Sequence, residues 1–273
     1  MMNKQKIKET VSRRIWTIAA IAVLLVIGVC YINRYRVTLS PFAIIRTSSI
    51  TITSPIAGAD IFLDDEKIGT TGEQGTQFTI KNLYPGQYAV IISKKDFWPW
   101  AKPIAIANNT AAHLSPFIAP QQSNLLPILW NDPEFESISA RLYQEKFLPS
   151  TITTTSVDGA AKLYVENNSI FVRWENTSSS RPESYCNSTE CSATTTVIQS
   201  IEAIRSADFY GKRNDVIVFS TDKGIYALEV DKRGIQNFQP LFTGASPIFF
   251  ANNDKQLLFV LSDNNLSTLT LDQ

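Results

Sequence analysis

The sequence predicts an all-β ectodomain carried on one N-terminal transmembrane helix. Two observations indicate this fold class. Residues 15–32 form an uncharged apolar run. Beyond about residue 48, short segments alternate polar and apolar side chains between turn residues, as half-buried strands do. We expect two β parts, residues 48–107 and 138–273, joined by a proline-containing linker at residues 108–137.

The apolar run extends from Ile15 to Ile32 and has no charged residue along eighteen positions. As a helix it would be about 27 Å long, close to the ~30 Å thickness of a bilayer core. Trp16 and Tyr31 stand near its ends, where aromatic rings favour the headgroup layer. The run therefore predicts one membrane-spanning helix.

Basic residues flank the run unequally. Five precede it against one acidic residue, and only Arg34 and Arg36 follow it before a long polar region. The five are Lys4, Lys6, Lys8, Arg13 and Arg14. Because Lys and Arg favour the cytoplasmic side, residues 1–14 are predicted to be a cytoplasmic tail. Residues 33–47 then form a juxtamembrane linker, and the C-terminal domains are extracytoplasmic.

Two other assignments of the apolar run stay open beside the anchor. A cleaved signal peptide has an apolar region of about 7–15 residues and a small-residue cleavage site, whereas this run is longer and lacks such a site. A lipoprotein would be modified at Cys30, but Val29 stands where that signal requires a small residue.

The charge of the ectodomain argues against nucleic acid as a partner. Residues 37–273 contain 18 Lys and Arg against 24 Asp and Glu, which gives a net charge of −6. A nucleic-acid-binding domain would instead present a basic face to the phosphates.

Two cysteines, Cys186 and Cys191, lie in a polar stretch rich in Ser, Thr and Asn. A zinc site would need two more ligands, and the one histidine, His113, is far away in sequence. A local disulfide between Cys186 and Cys191 is therefore the better prediction, and it suits an oxidising compartment. We expect no metal and no other cofactor.

Residues 48–107 contain several short strand-like segments and few helix signals. Asp64 and Asp65 form a charged tight-turn candidate between two of the segments. They could also donate carboxylates to calcium, but such a site needs six or more oxygens and no other acidic cluster is adjacent. The predicted strands are Ser49 to Thr53, Ala59 to Leu63, Phe78 to Ile80 and Tyr88 to Ile92.

The same segment resembles the PEGA domain, a small extracytoplasmic β-sandwich module of bacterial and archaeal proteins. The resemblance implies a β-sandwich at residues 48–107. Two departures occur: Ile56-Ala57 stands where the family has a glutamate, and Gly72 to Gln77 is looser than the usual link. The motifs that carry the resemblance are Ser54-Pro55, Gly58-Ala59, Leu63-Asp64, Ile68-Gly69, Asn82-Leu83, Pro85-Gly86-Gln87-Tyr88 and Lys94 to Trp100.

Phe97, Trp98 and Trp100 form the densest aromatic group in the chain. Exposed aromatic rings stack on sugars or contact partners, whereas buried rings belong to a core. We expect two of the three to pack inside or between domains, and the remaining ring to be the best binding candidate.

The linker, residues 108–137, contains four prolines and little periodicity. It is expected to lie along the next domain, and a lone histidine there, His113, is expected at the surface. Its predicted apolar anchors are Leu125-Leu126, Ile128-Leu129 and Trp130.

Residues 138–273 repeat one pattern, an apolar strand, a polar turn and a second apolar strand. Asp215 to Asp231 and Lys255 to Gln273 align at an offset of 40 residues, and Ala161 to Asn176 is a weaker copy. A period near 40 built from hairpins resembles β-propeller repeats. A propeller usually needs about 4–8 four-stranded blades, more than these residues supply. An incomplete array, a sandwich and a half that closes on another copy therefore stay open.

An unclosed array leaves edge strands that need cover. The final strand, Leu266 to Leu271, could pair with an early segment, and we expect that partner around Ile138 to Leu142.

No sequence motif indicates catalysis. The chain has no phosphate-binding glycine loop, nucleophile elbow or zinc spacing, although two glycosidase carboxylates need only meet in space. We therefore expect no enzyme. The first hypothesis is a membrane-anchored binding protein of the bacterial envelope that recognises surface or wall glycan, or a partner protein. The alternative is a structural scaffold whose β domain completes itself with another subunit, as a homo-oligomer.

Overall fold

The structure of the protein is a computed structural model. It describes residues 3–32, 35–39, 42–73, 77–123, 125–147, 152–177, 181–186 and 192–271.

The first half of the chain consists of one long helix followed by short strands. These elements are α1 (Asn3–Ile32), β1 (Tyr35–Leu39), β2 (Phe42–Arg46), β3 (Ser48–Thr53), β4 (Asp60–Leu63), β5 (Glu66–Thr70), β6 (Gln77–Leu83), β7 (Gly86–Ser93), β8 (Trp100–Ile106), β9 (Ala111–Leu114) and β10 (Leu125–Pro127).

The second half begins with a helix and continues as strands. These elements are α2 (Phe135–Phe147), β11 (Thr153–Thr155), β12 (Ala161–Glu166), β13 (Ser169–Trp174), β14 (Thr194–Gln199), β15 (Ser206–Phe209), β16 (Val216–Ser220), β17 (Gly224–Glu229), β18 (Phe238–Thr243), β19 (Ile248–Asn252), β20 (Leu257–Ser262) and β21 (Asn265–Thr270). A short 3-10 turn, Glu183–Tyr185, lies between β13 and β14.

The chain divides into two compact units. The first comprises Met1–Ile52, Phe78–Gln87 and Ala105–Leu114, and the second comprises Thr53–Gln77, Tyr88–Ile104 and Ser115–Gln273. The division runs through the segment predicted as one β module, residues 48–107.

The first unit contains α1, the β1–β2 hairpin and a three-stranded sheet in the order β6-β3-β9. Strand β3 is buried along most of its length, and it pairs in parallel with β9. His113 faces Thr51 in this pairing and is exposed, as expected for a lone surface histidine. The segment predicted as linker therefore begins with a strand.

Helix α1 contains the whole predicted span, Ile15 to Ile32. Its large apolar side chains are exposed on all sides between Ile15 and Val29; Trp16, for example, is 74% exposed. Among the residues whose side chains the structure describes, no helix is long and apolar enough to span a membrane. The side chains of residues 30–32 lie outside that description, so the transmembrane assignment stays a prediction.

The second unit begins with a four-stranded sheet in the order β5-β4-β7-β8. Strands β4 and β5 form a hairpin whose two turn residues, Asp64 and Asp65, have φ values of 49° and 69°. Asx residues tolerate this left-handed conformation, which suits a tight hairpin turn. The Asp64 carboxylate also accepts a hydrogen bond from the Ala89 N–H at 2.7 Å. The predicted tight turn at these residues is confirmed.

Three further four-stranded antiparallel sheets make up most of the second unit. Sheet 1 has the order β11-β12-β13-β14, sheet 2 the order β15-β16-β17-β18, and sheet 3 the order β10-β21-β20-β19. The hairpins predicted from the repeat are confirmed as β12–β13, β16–β17 and β20–β21. Among the described residues, these sheets do not close into a propeller.

The final strand does pair with an early one, but the expected partner was wrong. Strand β21 pairs with β10, where Leu125 faces Leu269, whereas Ile138 to Leu142 belongs to helix α2. The sequence of α2 places apolar residues at 135, 138 and 142, which is helical spacing. Ile138 and Leu142 thereby bury one face of the helix against sheet 3.

The apolar anchors predicted in the linker lie mostly at the surface. Leu126, Leu129 and Trp130 are 53%, 55% and 82% exposed, whereas Ile128 packs against the core of sheet 3. The segment is instead anchored by Phe117–Ala119, whose three side chains are fully buried.

Substitution of Leu142 tests the packing of α2. Leu142→Ala should lower the free energy of unfolding by about 2–5 kcal/mol, because it opens a cavity beneath a fully buried side chain. The control Gln144→Ala, on the exposed side of the same helix, should change stability by less than about 0.5 kcal/mol. Urea unfolding of both variants measures the difference; equal losses would contradict the helical packing.

Candidate functional site

The predicted aromatic group does not form one exposed surface. Trp100, on β8, is 2% exposed, and its indole N–H donates to the Glu229 carboxylate. Trp98 is half-buried and donates to the Pro240 carbonyl at 3.1 Å. Phe97 is half-buried beside the Lys94 ammonium, 5.1 Å from its ring centre. Trp100 is thus inaccessible to a ligand, and a binding role for Phe97 and Trp98 stays a prediction.

Trp100 belongs to a buried charged network. Lys102, two residues further along β8, lies 3.0 Å from Glu229 Oε2 and 3.2 Å from Asp231 Oδ2. The side chains of Lys102 and Glu229 are only 6% and 7% exposed. Asn237 donates to Glu229 Oε2 at 3.0 Å and to the Ala101 carbonyl at 3.0 Å. This network joins β8 to sheet 2.

Arg233 extends the network towards the surface. Its guanidinium donates to both oxygens of Asp231 at 3.0 Å and lies 2.5 Å from Glu183. Burial by itself would raise the pKa of Asp231, but Arg233 and Lys102 hold this pKa below its ordinary value. The network therefore contains charged residues that are paired with one another, as a structural site requires.

The segment after β9 is held on sheet 2 by its backbone. The Gln239 side chain accepts from the Ala119 N–H at 2.6 Å and donates to the Phe117 carbonyl at 3.1 Å. Arg213 donates to the Ser115 and Pro116 carbonyls at 2.5 and 2.9 Å. These contacts are structural, because all of the named side-chain groups are already paired within the protein.

A cavity lies between β11, β15 and β19, which are the inner strands of sheets 1, 2 and 3. Its volume is about 710 Å³, and β11, β15 and β19 provide three of its walls. The C-terminal half of α2, with Arg141 and Glu145, provides the fourth. The residues that line it are Arg141, Glu145, Ile152, Thr153, Thr154, Val165, Asn167, Asn168, Ala203 to Asp208 and Ile248 to Phe250.

Asp208 is the most buried ionisable group of this cavity. Its Oδ1 accepts from the Thr154 hydroxyl at 3.0 Å and from the Phe209 N–H at 2.7 Å. Burial raises the pKa of Asp208 above its ordinary value, and these two hydrogen bonds and the Arg141 charge only partly oppose it. Within the described part of the chain, no hydrogen bond reaches Asp208 Oδ2.

Glu145 and Arg141 lie one turn apart on α2, which also lines the cavity. The Arg141 Nε is 3.6 Å from Glu145 Oε1, and its guanidinium carbon lies 4.0 Å from the ring centre of Phe250. Burial raises the pKa of Glu145, Arg141 opposes the rise, and the charge of Asp208 adds to it. The charge of Arg141 lowers the pKa of both carboxyls, but among the described residues Arg141 forms an ion pair only with Glu145.

Neutral hydrogen-bonding groups complete the lining. Asn167 and Asn168 form the turn of the β12–β13 hairpin with φ values of 49° and 57°, and both are exposed. Their side-chain amides, and the Thr153 hydroxyl, make no hydrogen bond with other described residues. Together with Phe250, these groups can bind a polyhydroxylated ligand by hydrogen bonds and ring contact. No group of three or more potential metal ligands occurs among the described residues.

Sequence reasoning missed this cavity for identifiable reasons. Arg141 falls within Ile138 to Leu142, the segment expected to be a strand, and Glu145 follows it, so the sequence analysis gives no sign of their helical i,i+4 relation. Asp208 lies on β15, outside the repeated hairpins. The Asn167-Asn168 turn was visible in the weakest repeat, but nothing local shows that it meets β15 and β19.

Cys186 is disulfide-bonded. Cys191 lies outside the described residues, so the pairing with it stays a prediction. The preceding 3-10 turn is anchored by Tyr185, which is 1% exposed and packs its ring 5.0 Å from Trp174. The segment that leads to Cys186 is therefore attached to sheet 1 through Tyr185.

Comparison with known families identifies one region. Residues 47–121 match the model of the PEGA domain. This region is similar to the PEGA domain. The resemblance inferred from the motifs of residues 48–107 is confirmed, and the PEGA match extends further, through β9 and the buried Phe117–Ala119. A search among curated proteins found no match to the chain.

Removal of the buried lysine should destabilise the fold strongly. Lys102→Met leaves Glu229 without a cation and leaves Asp231 paired with Arg233 alone. This loss should cost about 3–5 kcal/mol of unfolding free energy. The control Lys255→Met removes an exposed pair with Glu134 and should cost less than about 1 kcal/mol. Chemical denaturation measures both; a cost for Lys102→Met as small as the control's would show that the network is not structural.

The raised pKa of Asp208 predicts that the stability of the fold depends on pH. Because the folded pKa of Asp208 lies above its ordinary value of 3.8, its favourable contribution is complete below 3.8 and is lost as the pH rises through the folded value. Asp208→Asn should therefore gain stability relative to the wild type as the pH rises across this window. Denaturation at acidic and at neutral pH measures the gain. An equal gain in Asp254→Asn, which removes an exposed carboxylate, would contradict this explanation.

Proposed function

We propose that this chain is a membrane-anchored binding protein of the bacterial envelope, without catalytic activity, whose propeller-like C-terminal β sheets bind a glycan in the cavity between their inner strands. The observation that carries the proposal is the cavity lining, in which free amides and a hydroxyl stand beside an arginine, two carboxyls and Phe250. A volume of about 710 Å³ falls within the range of small-ligand sites, and it would hold a short oligosaccharide.

The anchor is part of the proposal. The run from Ile15 to Ile32 has no charge, and the large apolar side chains of α1 between Ile15 and Val29 are exposed. Such a helix is stable in lipid and costly in water. The excess of Lys and Arg before it favours a cytoplasmic N-terminus and an extracytoplasmic cavity.

Partner proteins give a second candidate function, a scaffold that assembles with another copy. Two features favour it: the three sheets stay open among the described residues, and Leu126, Leu129 and Trp130 form an exposed apolar segment beside the β10 edge. Exposed apolar groups at a sheet edge are typical of association surfaces. Phe97 and Trp98 remain further candidates for contact with a partner.

The glycan proposal predicts a specific loss of binding. Asn168→Gly removes one cavity amide, and glycine keeps the positive φ that the turn requires. We expect full-length protein in detergent to bind wall or surface oligosaccharides on an array, and this variant to lose about tenfold in affinity, or ~1.4 kcal/mol.

Asn264→Gly is the matched control, because Asn264 has a φ of 61° in the corresponding turn of sheet 3 and does not line the cavity. This variant should bind like the wild type. No glycan binding by the wild type, together with stable self-association in sedimentation, would overturn the glycan proposal and leave the scaffold.

A further inference from the structure

Four charged residues line the cavity, and their pairing leaves an excess of negative charge. Arg205 lies 2.5 Å from Asp222, which is not part of the lining, so its charge is already neutralised. Arg141 pairs with Glu145, and among the described residues Asp208 takes part in no ion pair. Two carboxylates against one guanidinium leave one negative charge for a ligand to balance.

Asp208 is the carboxylate of the cavity whose negative charge is compensated least. Both of its described hydrogen bonds, from Thr154 and from the Phe209 N–H, reach Oδ1. A buried carboxylate with weak compensation favours a cation that brings its own donors. A primary ammonium provides three donors and one positive charge.

We propose that the cavity selects a glycan that bears a free, protonated amino group, and that Asp208 binds that group with Glu145 as the second acceptor. This inference rests on the proposed glycan-binding function and specifies its ligand class. The hydroxyls of the sugar contact Asn167, Asn168 and Thr153, which also line the cavity. An acetylated amine would lose the charge and add bulk beside Asp208.

The test compares a glucosamine tetrasaccharide with its fully N-acetylated counterpart. Calorimetry uses the full-length protein in detergent, at a pH at which the free amine is protonated. The amino form should bind at least tenfold more tightly than the acetylated form, and this preference should shrink as salt is added, because charges drive it.

Two variants assign the preference to the carboxyls. Asp208→Asn should abolish it, and Glu145→Gln, which changes a half-buried side chain on α2, should reduce it by severalfold. Asp254→Asn is the control for loss of one exposed carboxylate and should keep the full preference. If Asp208→Asn fails to fold, Glu145→Gln and the salt series still decide the result.

The possible outcomes distinguish failure of the amine preference from failure of glycan binding. Equal binding of both tetrasaccharides, or tighter binding of the acetylated one, overturns the amine preference and supports a neutral-glycan site. A preference that persists in both carboxyl variants also overturns it. Binding of neither tetrasaccharide overturns it too, while the wider array decides the glycan function independently.

Discussion

The ion pair between Lys102 and Glu229 is the constraint on which the second unit depends. Both side chains are almost completely buried, so neither charge can be hydrated if the other is withdrawn. Trp100 and Asn237 satisfy the remaining acceptor capacity of Glu229, and Asp231 takes a second contact with the ammonium. Such a network fixes one arrangement of β8 on sheet 2, because any displacement would expose an unpaired charge to an apolar interior.

The same sheet connects this network to the cavity. Glu229 ends β17, while Asp208 lies on β15, two strands away through β16. Sheet 2 also shares one apolar core with sheet 1, and its inner strand is adjacent to β19 of sheet 3. The position of Asp208 relative to β11 and β19 is therefore fixed by packing on both faces of sheet 2.

The local sequence predicts the turns and the hairpins, but it does not predict which distant strands pair with each other. Turns such as Asp64-Asp65 and Asn167-Asn168 are encoded by residues that tolerate positive φ, and the hairpins beside them alternate polar and apolar residues. The pairing of β10 with β21 joins residues far apart in sequence, and nothing local specifies it. Helix α2 was missed because Ile138 and Leu142, four residues apart, share a face in a strand as well as in a helix. The cavity could not be predicted for the same two reasons: α2 was not recognised as a helix, and α2, β11, β15 and β19 are far apart in sequence and meet only in the folded unit.

Helix α2 covers part of sheet 3 and also lines the cavity. The helix buries Ile138 and Leu142 against that sheet and turns Arg141 and Glu145 towards the inner strands. Because Arg141 and Glu145 lie one helical turn apart, both reach the cavity from the same helix. The cavity proposed as the glycan site therefore depends on the packing of α2 against sheet 3.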